Sequence, residues 1–427
     1  MSSDTSLPYP KGFRRFQLEV LLSTWVAYFG LYFCRKTFAV VKATLEVDFN
    51  LTSTNLGDID GFYLMAYAVG QFVSAGLGAK VGPRLLLLLG IAVSIACNIA
   101  FAFSDNMATF SIFMIVNGLA QSAGWPACIG TLASWIRREE RGSIMGVWAT
   151  CYQVGGLAAT TWAAFWLKSN GVKGAFLASS AFVCGVWLIV FIFQRNRPED
   201  RELPPIPDGE FEEKALSDDK EDTSAGWTRD LVLNVIIVGI FYFGVKFIRY
   251  ALQGWLPYFL QKNFGLAGDD AGYLSTIFEA AGIFGALSAG FISDYLFRGK
   301  RTPVALVMLG GMTIGTIGLY LSANIGLTFF AVSIGLVGFM LYGPDSLLTG
   351  AGAMDVGNKK TALVAAGIIN GIGAIGATVQ TFIIGRIYEQ MNGNLAPIFA
   401  LLIIASFASM LAVAILLFRA RKGISSI

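Results

Sequence analysis

No histidine occurs among the 427 residues. That absence removes the side chain that most often ligates metals and shuttles protons near neutral pH. Charge is scarce as well: Asp, Glu, Lys and Arg make up 14% of the chain, against about a quarter in soluble globular proteins. The five cysteines (Cys34, Cys97, Cys128, Cys151, Cys184) are odd in number, lie in apolar stretches and contain no C-x-x-C pair. Neither a disulfide framework nor a zinc site is expected from them. A formal net charge of +3, with no basic block interleaved with stacking aromatics, excludes the footprint of a nucleic-acid binder. No nucleophile–base pair stands out, so the expectation is no enzyme, no cofactor and no metal. What is abundant is apolar surface, 55% of residues, and the implied solvent is the lipid bilayer.

A membrane-spanning helix needs about 20 mostly apolar residues. Runs of that kind fall at 18–41, 57–79, 85–104, 107–133, 143–167 and 174–194, then at 230–260, 271–296, 303–322, 325–350, 361–388 and 394–418. The polar, basic start, MSSDTSLPYPKGFRRF, leads into the first run without a small-residue cleavage site, so that run reads as a resident span. Residues 195–229 are rich in Pro, Asp and Glu and cannot build a core, which reads as a mostly disordered linker. The expected organisation is a six-helix bundle over 1–194, a linker over 195–229 and a second six-helix bundle over 230–427. Lys and Arg crowd one set of loops (Arg14, Arg15, Lys80, Arg84, Arg137, Arg138, Arg141, Arg195, Arg197, Arg298, Arg301, Lys359, Lys360, Arg419, Arg421). The opposite loops hold little beyond Lys42, Lys168, Lys173 and Lys262. By the positive-inside rule both termini and the linker are cytoplasmic.

The halves also repeat. Tyr28-Phe29-Gly30 returns as Tyr242-Phe243-Gly244, and Ser74-Ala75-Gly76 as Ser288-Ala289-Gly290; from 28 to 242 and from 74 to 288 the offset is 214 in both cases. Two parallel six-span repeats about an axis along the membrane normal are the plan of the major facilitator superfamily, in which the ligand sits near the midplane between halves. The expected fold is therefore an all-α membrane protein of twelve transmembrane helices in two pseudo-symmetric bundles.

Spans 1 and 7 carry charges out of place. Span 1 reads YFGLYFCRK and span 7 reads YFGVKFIRY, so that Tyr28 matches Tyr242, Tyr32 matches Lys246 and Arg35 matches Arg249. The i, i+4, i+7 spacing puts each trio on one helical face. Arg35, Lys36, Lys246 and Arg249 would together cost on the order of 10 kcal/mol in hydrocarbon on insertion scales, unless they face water, counter-ions or a ligand. Snorkelling to the interface is the plain alternative; long apolar flanks oppose it for Arg249. Two arginines at equivalent positions of two halves can converge on one ligand. Two planar guanidinium forks suit a phosphate, whose monoester carries roughly −1.5 to −2 charge, and the tyrosines add hydroxyl donors. An empty site with two unpaired cations is costly to desolvate, so reorientation is expected chiefly when loaded, which favours exchange over net flow.

On these residues the sequence resembles the organophosphate:phosphate antiporter family of the major facilitator superfamily, the glycerol-3-phosphate and hexose-phosphate carriers. The resemblance spans nearly the whole chain. It rests on Arg35-Lys36, Ala66-Tyr67, Asn117-Gly118-Leu119, Gly124-Trp125-Pro126, Arg141-Gly142, Trp148 and Val154-Gly155-Gly156. In the second half it rests on Arg249, Trp255-Leu256-Pro257, Leu274-Ser275-Thr276, Ser293-Asp294 and Tyr342-Gly343-Pro344. The Leu-Ser-Thr and Trp-Leu-Pro stretches and Lys246 look closest to the sugar-phosphate exchanger branch. The resemblance implies an antiporter that exchanges a phosphorylated small metabolite for inorganic phosphate; a plan that keeps the site within one chain makes a monomer the expectation, and the compact linker and short termini suggest a bacterial cytoplasmic membrane. It places the anion on Arg35 and Arg249, with Tyr28, Tyr32 and Tyr67 beside them. Departures from the family pattern are visible: Tyr152 or Cys151 stands where many members have a span-5 histidine, and Gln71 stands for a span-2 lysine. Gly254 stands for an acidic residue, which leaves Glu279 as the expected counter-ion of Lys36 or a coupling carboxylate. Two other readings stay open: a membrane sensor for a hexose phosphate, and a proton-coupled symporter of another organic anion using Glu279.

Four further features are read structurally. Asp345, after Gly343-Pro344, is expected to cap a helix break, and Arg386 to anchor at an interface. Gly371-x-Gly373-x-x-Gly376 lies in an apolar helix with no preceding strand, so it is expected to allow close packing and not to bind a dinucleotide. Gly290 to Asp294, with Arg298 and Arg301, resembles the superfamily's cytoplasmic loop signature.

Overall fold

A computed structural model of the chain describes residues 9, 12–137, 140–204, 228–295, 297, 301–348 and 359–422. Among them all regular structure is helical, as a bilayer demands, because hydrocarbon offers no partner for an unsatisfied backbone group. The first half holds α1 (Phe13–Leu31), α2 (Phe33–Asp48), α3 (Ser53–Val81), α4 (Pro83–Phe101), α5 (Met107–Gln121), α6 (Gly124–Trp135), α7 (Arg141–Trp148) and α8 (Thr150–Phe193). The second half holds α9 (Arg229–Phe264), α10 (Gly268–Tyr295), α11 (Arg301–Ile325), α12 (Leu327–Ser346), α13 (Lys359–Gln390) and α14 (Ala396–Arg421). Helix starts carry local signals. Asn106 accepts from the Thr109 amide at 3.0 Å and Thr228 from the Leu231 amide at 3.2 Å, both side-chain N-caps,. Pro83 begins α4, where its missing amide costs nothing.

Fourteen helices make twelve crossings among the described residues. A one-residue break at Tyr32 leaves α1 and α2 as one span, a two-residue break at Ser122 and Ala123 leaves α5 and α6 likewise, and α7 runs on into α8. The apolar stretch Ile144–Phe193 is 50 residues long, about 75 Å at 1.5 Å per residue, more than twice the roughly 30 Å core. Gly171, at φ 65° and ψ −167°, folds it back on itself, a conformation that suits glycine. Nine segments among the described residues are apolar enough to be recognised by composition alone. The α1–α2 span is not among them, because Arg14, Arg15, Glu19, Arg35 and Lys36 punctuate its apolar residues.

Two helix pairs join the halves at the end away from the chain termini. Where α3 crosses α13, a Cβ on Gly57 would lie 2.5 Å from the Thr381 carbonyl and one on Gly385 2.4 Å from the Ser53 carbonyl. Where α8 crosses α10, a Cβ on Gly272 would lie 2.5 Å from Ala164 Cβ. Small residues allow such approach in lipid. Polar contacts reinforce this end: Arg386 to Asp58 at 2.7 Å, Lys168 to Asp269 at 2.6 Å and Lys262 to Glu46 at 2.8 Å. The Ser53 hydroxyl donates to the Gly385 carbonyl at 3.0 Å.

Two expectations change. Lys42 is no loop residue: it is fully buried, ion-paired to Asp60, donates to the Gly254 carbonyl at 3.0 Å and lies 4.1 Å from the Trp255 ring. Residues 195–204 are ordered where a disordered linker was expected. Trp135 Nε1 donates to the Arg195 carbonyl at 3.1 Å, Arg201 reaches Glu19 at 3.6 Å, and Leu203 packs on Phe13, Val20 and Trp135. Residues 205–227 lie outside the described residues, as do Arg298 and the side chains of Arg141, Asp294 and Arg301.

Outside the spans, Glu140 accepts from the Tyr9 hydroxyl at 2.6 Å and pairs with Arg14 at 2.8 Å. Burial alone would raise the Glu140 carboxyl, but these two donors hold it below its ordinary value,.

Candidate functional site

The break at Tyr32 between α1 and α2 sets the first half of the site. The Arg35 and Lys36 amides both bond to the Tyr32 carbonyl, at 3.0 and 2.8 Å, a tightened turn that aims adjacent cations at different partners. Gly155 and Gly156 of α8 let this turn approach. A Cβ on Gly155 would lie 3.0 Å from the Phe29 carbonyl, and one on Gly156 3.6 Å from Glu279 Oε1 and 3.7 Å from Lys36 Cε.

Arg35 is held by neutral groups. Its Nε donates to Gln121 Oε1 at 3.1 Å, its only hydrogen bond among the described residues. The guanidinium lies 4.9, 5.1 and 5.8 Å from the rings of Tyr32, Tyr67 and Tyr63, within cation–π range. Gln121 is itself fixed. It accepts from the Tyr63 hydroxyl at 2.9 Å and donates to Ser94 Oγ at 3.0 Å and to the Leu31 carbonyl at 3.2 Å. Asn117 extends the network to the Cys34 carbonyl at 3.1 Å. Gly118 makes it possible: a Cβ there would stand 2.4 Å from the Tyr63 carbonyl, so no larger residue would let α5 approach α3 this closely.

Arg249, near the middle of α9, has a carboxylate instead. Its Nη1 pairs with Asp345 of α12 at 3.0 Å, with side-chain exposures of 11% and 7%. The Arg249 Nε is buried without a hydrogen-bond partner. Tyr342 and Tyr152 flank the guanidinium at 4.9 and 5.2 Å, with Tyr250 at 6.0 Å. Asp345 lies inside α12, so the expected helix-break cap gives way to a counter-ion. Seating is again by close packing: a Cβ on Gly282 would lie 2.2 Å from the Tyr342 ring.

The two arginines share surroundings. Tyr32 and Tyr250 each feel the charge of both Arg35 and Arg249. Lys246 donates to Asn370 Oδ1 at 2.8 Å and sits 4.5 Å from the Tyr242 ring; it has no carboxylate partner among the described residues. A Cβ on Gly373 would lie 2.6 Å from that same ring and one on Gly376 2.4 Å from the Phe243 carbonyl, the close packing of α13 on α9. Lys36 points away from this group and pairs with Glu279 at 2.7 Å, side chains 6% and 4% exposed. That pair crosses between the halves. Tyr28 packs against Tyr32, Trp125 and Trp148 at 6.1, 5.6 and 5.7 Å between centroids, one layer behind the guanidinium. No cluster of metal-ligating side chains occurs among the described residues.

The geometry thus gathers Arg35, Tyr32, Tyr67, Arg249, Tyr152 and Lys246, and sets Lys36, Glu279 and Tyr28 around them. Sequence reasoning missed Gln121, Tyr63, Tyr342 and Asp345. Tyr63 carried a signal, being one helical turn before Tyr67; Gln121 and Asp345 were visible as polar residues inside apolar spans, which are functional by default.

A bundle of twelve crossings with cations buried between its halves defines a polytopic carrier. Residues 24–378 match the Major Facilitator Superfamily, and the chain belongs to that family. It is therefore a multi-pass membrane transporter and not an enzyme. Similar chains include a probable hexose phosphate transport protein of Chlamydia pneumoniae, 26% identical over 94% of this chain and 91% of its own length. A glycerol-3-phosphate transporter of Bacillus subtilis is 27% identical over 90% of this chain and 88% of its own. The membrane sensor protein UhpC of Escherichia coli is 27% identical over 89% and 88%. Among solved structures, a bacterial homolog of the human lysosomal transporter Spinster matches with a TM-score of 0.70 at 15% identity, covering 96% of both chains. That last likeness speaks for the fold.

Proposed function

We propose that this chain exchanges a phosphorylated small metabolite, a sugar phosphate or glycerol phosphate, for inorganic phosphate by alternating access. The observation that carries the reading is the charge balance of the site. Among the described residues Arg35 and Lys246 have no carboxylate partner, and Arg249 keeps its Nε unbonded. Each unpaired cation costs about 2.5–3.5 kcal/mol at membrane depth on insertion scales, a cost that a phosphate dianion offsets. The named substrates of the relatives support the organic part of the reading: hexose phosphate and glycerol-3-phosphate.

The same balance favours exchange. Closing the halves on an empty site desolvates Arg35 and Lys246 uncompensated, which costs several kcal/mol per ion, whereas the loaded site is neutralised. Reorientation is fast only with an anion aboard. Lys36–Glu279 is internally neutral and serves as a tie between halves. Loops rich in Lys and Arg support cytoplasmic termini and with them an outward-facing clamped end, and the bacterial relatives support a bacterial cytoplasmic membrane. Each chain holds a whole site, and we take it to act as a monomer.

The test is phosphate self-exchange in proteoliposomes. Labelled phosphate should enter rapidly when unlabelled phosphate is inside and slowly when it is absent, and Arg35→Lys should abolish entry. Equal uptake into phosphate-free vesicles would sink exchange. The UhpC likeness keeps a second reading in view, and ligand binding without flux by folded protein would favour that sensor.

A further inference from the structure

The two site arginines are related by the internal repeat, yet only one has a resident anion. Asp345 stands 3.0 Å from Arg249 Nη1, both side chains nearly buried, and Tyr152, Tyr242, Tyr250 and Lys246 lie within its electrostatic reach. Among the described residues nothing comparable faces Arg35, whose one side-chain hydrogen bond is to an amide oxygen. A buried carboxylate beside a cation must remain paired or be displaced. Asp345 takes Nη1 and leaves Nε unbonded, so a phosphate that reaches Arg249 comes up against a resident carboxylate on the same guanidinium, and the two anions compete for one positive charge.

We propose that Asp345 is a tethered competitor of the transported anion: it neutralises Arg249 in the empty carrier and yields Nη1 when phosphate arrives. Arg35 then captures the anion and Arg249 closes on it second. Asp345 is on this view a specificity-determining and release residue. It weakens ground-state binding, rejects anions too weakly charged to displace it, and speeds departure by retaking Arg249. The inference rests on the phosphate-exchange reading above and deepens it.

The experiment measures phosphate binding by calorimetry and exchange kinetics in proteoliposomes, for wild type, Asp345→Asn and Asp345→Glu. Asp345→Asn should bind phosphate about tenfold tighter, equivalent to about 1.4 kcal/mol. Its exchange KM should fall together with kcat, because release slows. Asp345→Glu keeps the competitor and should stay within about threefold of wild type, the scatter expected of a weak ion-pair change. A purely structural role for Asp345 predicts the reverse split, with weaker binding and a raised KM in Asp345→Asn. That outcome, or unchanged affinity, overturns the inference. If Asp345→Asn does not fold, Asp345→Ser is measured against the same expectation. Phosphate binding by neither wild type nor variant, with both folded, would overturn the exchange reading itself and the inference with it.

Discussion

Arg35 and Arg249 occupy equivalent positions in the repeat, and the folded chain treats them differently. In the first half the guanidinium is held by Gln121 and three tyrosine rings; in the second it is held by a carboxylate, with Tyr342, Tyr152 and Tyr250 around it. A neutral cage fixes a cation without spending its charge, while a carboxylate fixes it and cancels it. Sequence symmetry thus places the two groups, and the second partner on each helix pair decides what each is available to do. On the proposed reading, the first half is the standing anion receptor and the second a partner that its carboxylate releases.

The largest test of that contrast is Arg35→Lys against Arg249→Lys. Lysine keeps the charge and loses the fork. Exchange kcat/KM should fall about a hundredfold at Arg35, which meets no carboxylate among the described residues and spends only Nε on Gln121, and about tenfold at Arg249, which already shares its donors with Asp345. Charged hydrogen bonds worth about 1.5–3 kcal/mol set this scale. Equal losses would erase the distinction. Gln121→Glu breaks it from the other side by giving Arg35 a carboxylate of its own. Phosphate Kd, read by calorimetry, should then rise about tenfold, with little change expected if Arg35 lies outside the site.

Smaller effects are expected away from the arginines. Arg386→Ala removes a pair that is half exposed on the arginine side, and such pairs contribute about 0.2–1 kcal/mol. It should shift the balance of the two access states, so that accessibility to a membrane-impermeant thiol reagent at an introduced outer cysteine rises about two- to fivefold. The smallest belongs to Glu140. Its lowered carboxyl contributes stability that is fully present above the ordinary glutamate pKa and is lost as pH falls through the lowered value,. Thermal melts of Glu140→Gln and wild type should therefore differ slightly at neutral pH and converge in acid.

Much of this was legible before folding. Apolar runs gave the crossings, including the α1–α2 span, where charge dilutes the membrane signal and the repeat betrays it. Arg35, Lys246 and Arg249 announced themselves through cost alone. The partners were harder to see. Asp345 follows Gly-Pro, a local pattern that suggests a break, and only the packing of α10 and α12 turns it toward Arg249. Gln121 is one amide among several in its span until Gly118 brings Tyr63 within 2.9 Å of it. Lys42 was read by its place near a span end, whereas the crossing of α2 and α9 buries it. Local composition carries position along the membrane normal; the pairings depend on contacts between helices far apart in sequence, which composition does not encode.

The central claim is that one phosphate bridges Arg35 and Arg249. The most direct measurement is a double-mutant cycle on phosphate binding by calorimetry, with Arg35→Lys, Arg249→Lys and the pair. A shared anion predicts strong coupling, above about 1 kcal/mol, because once one fork is gone the other has little left to lose. Losses that add to within about 0.5 kcal/mol would mean that the two arginines act on separate ligands or separate steps, and would contradict the account.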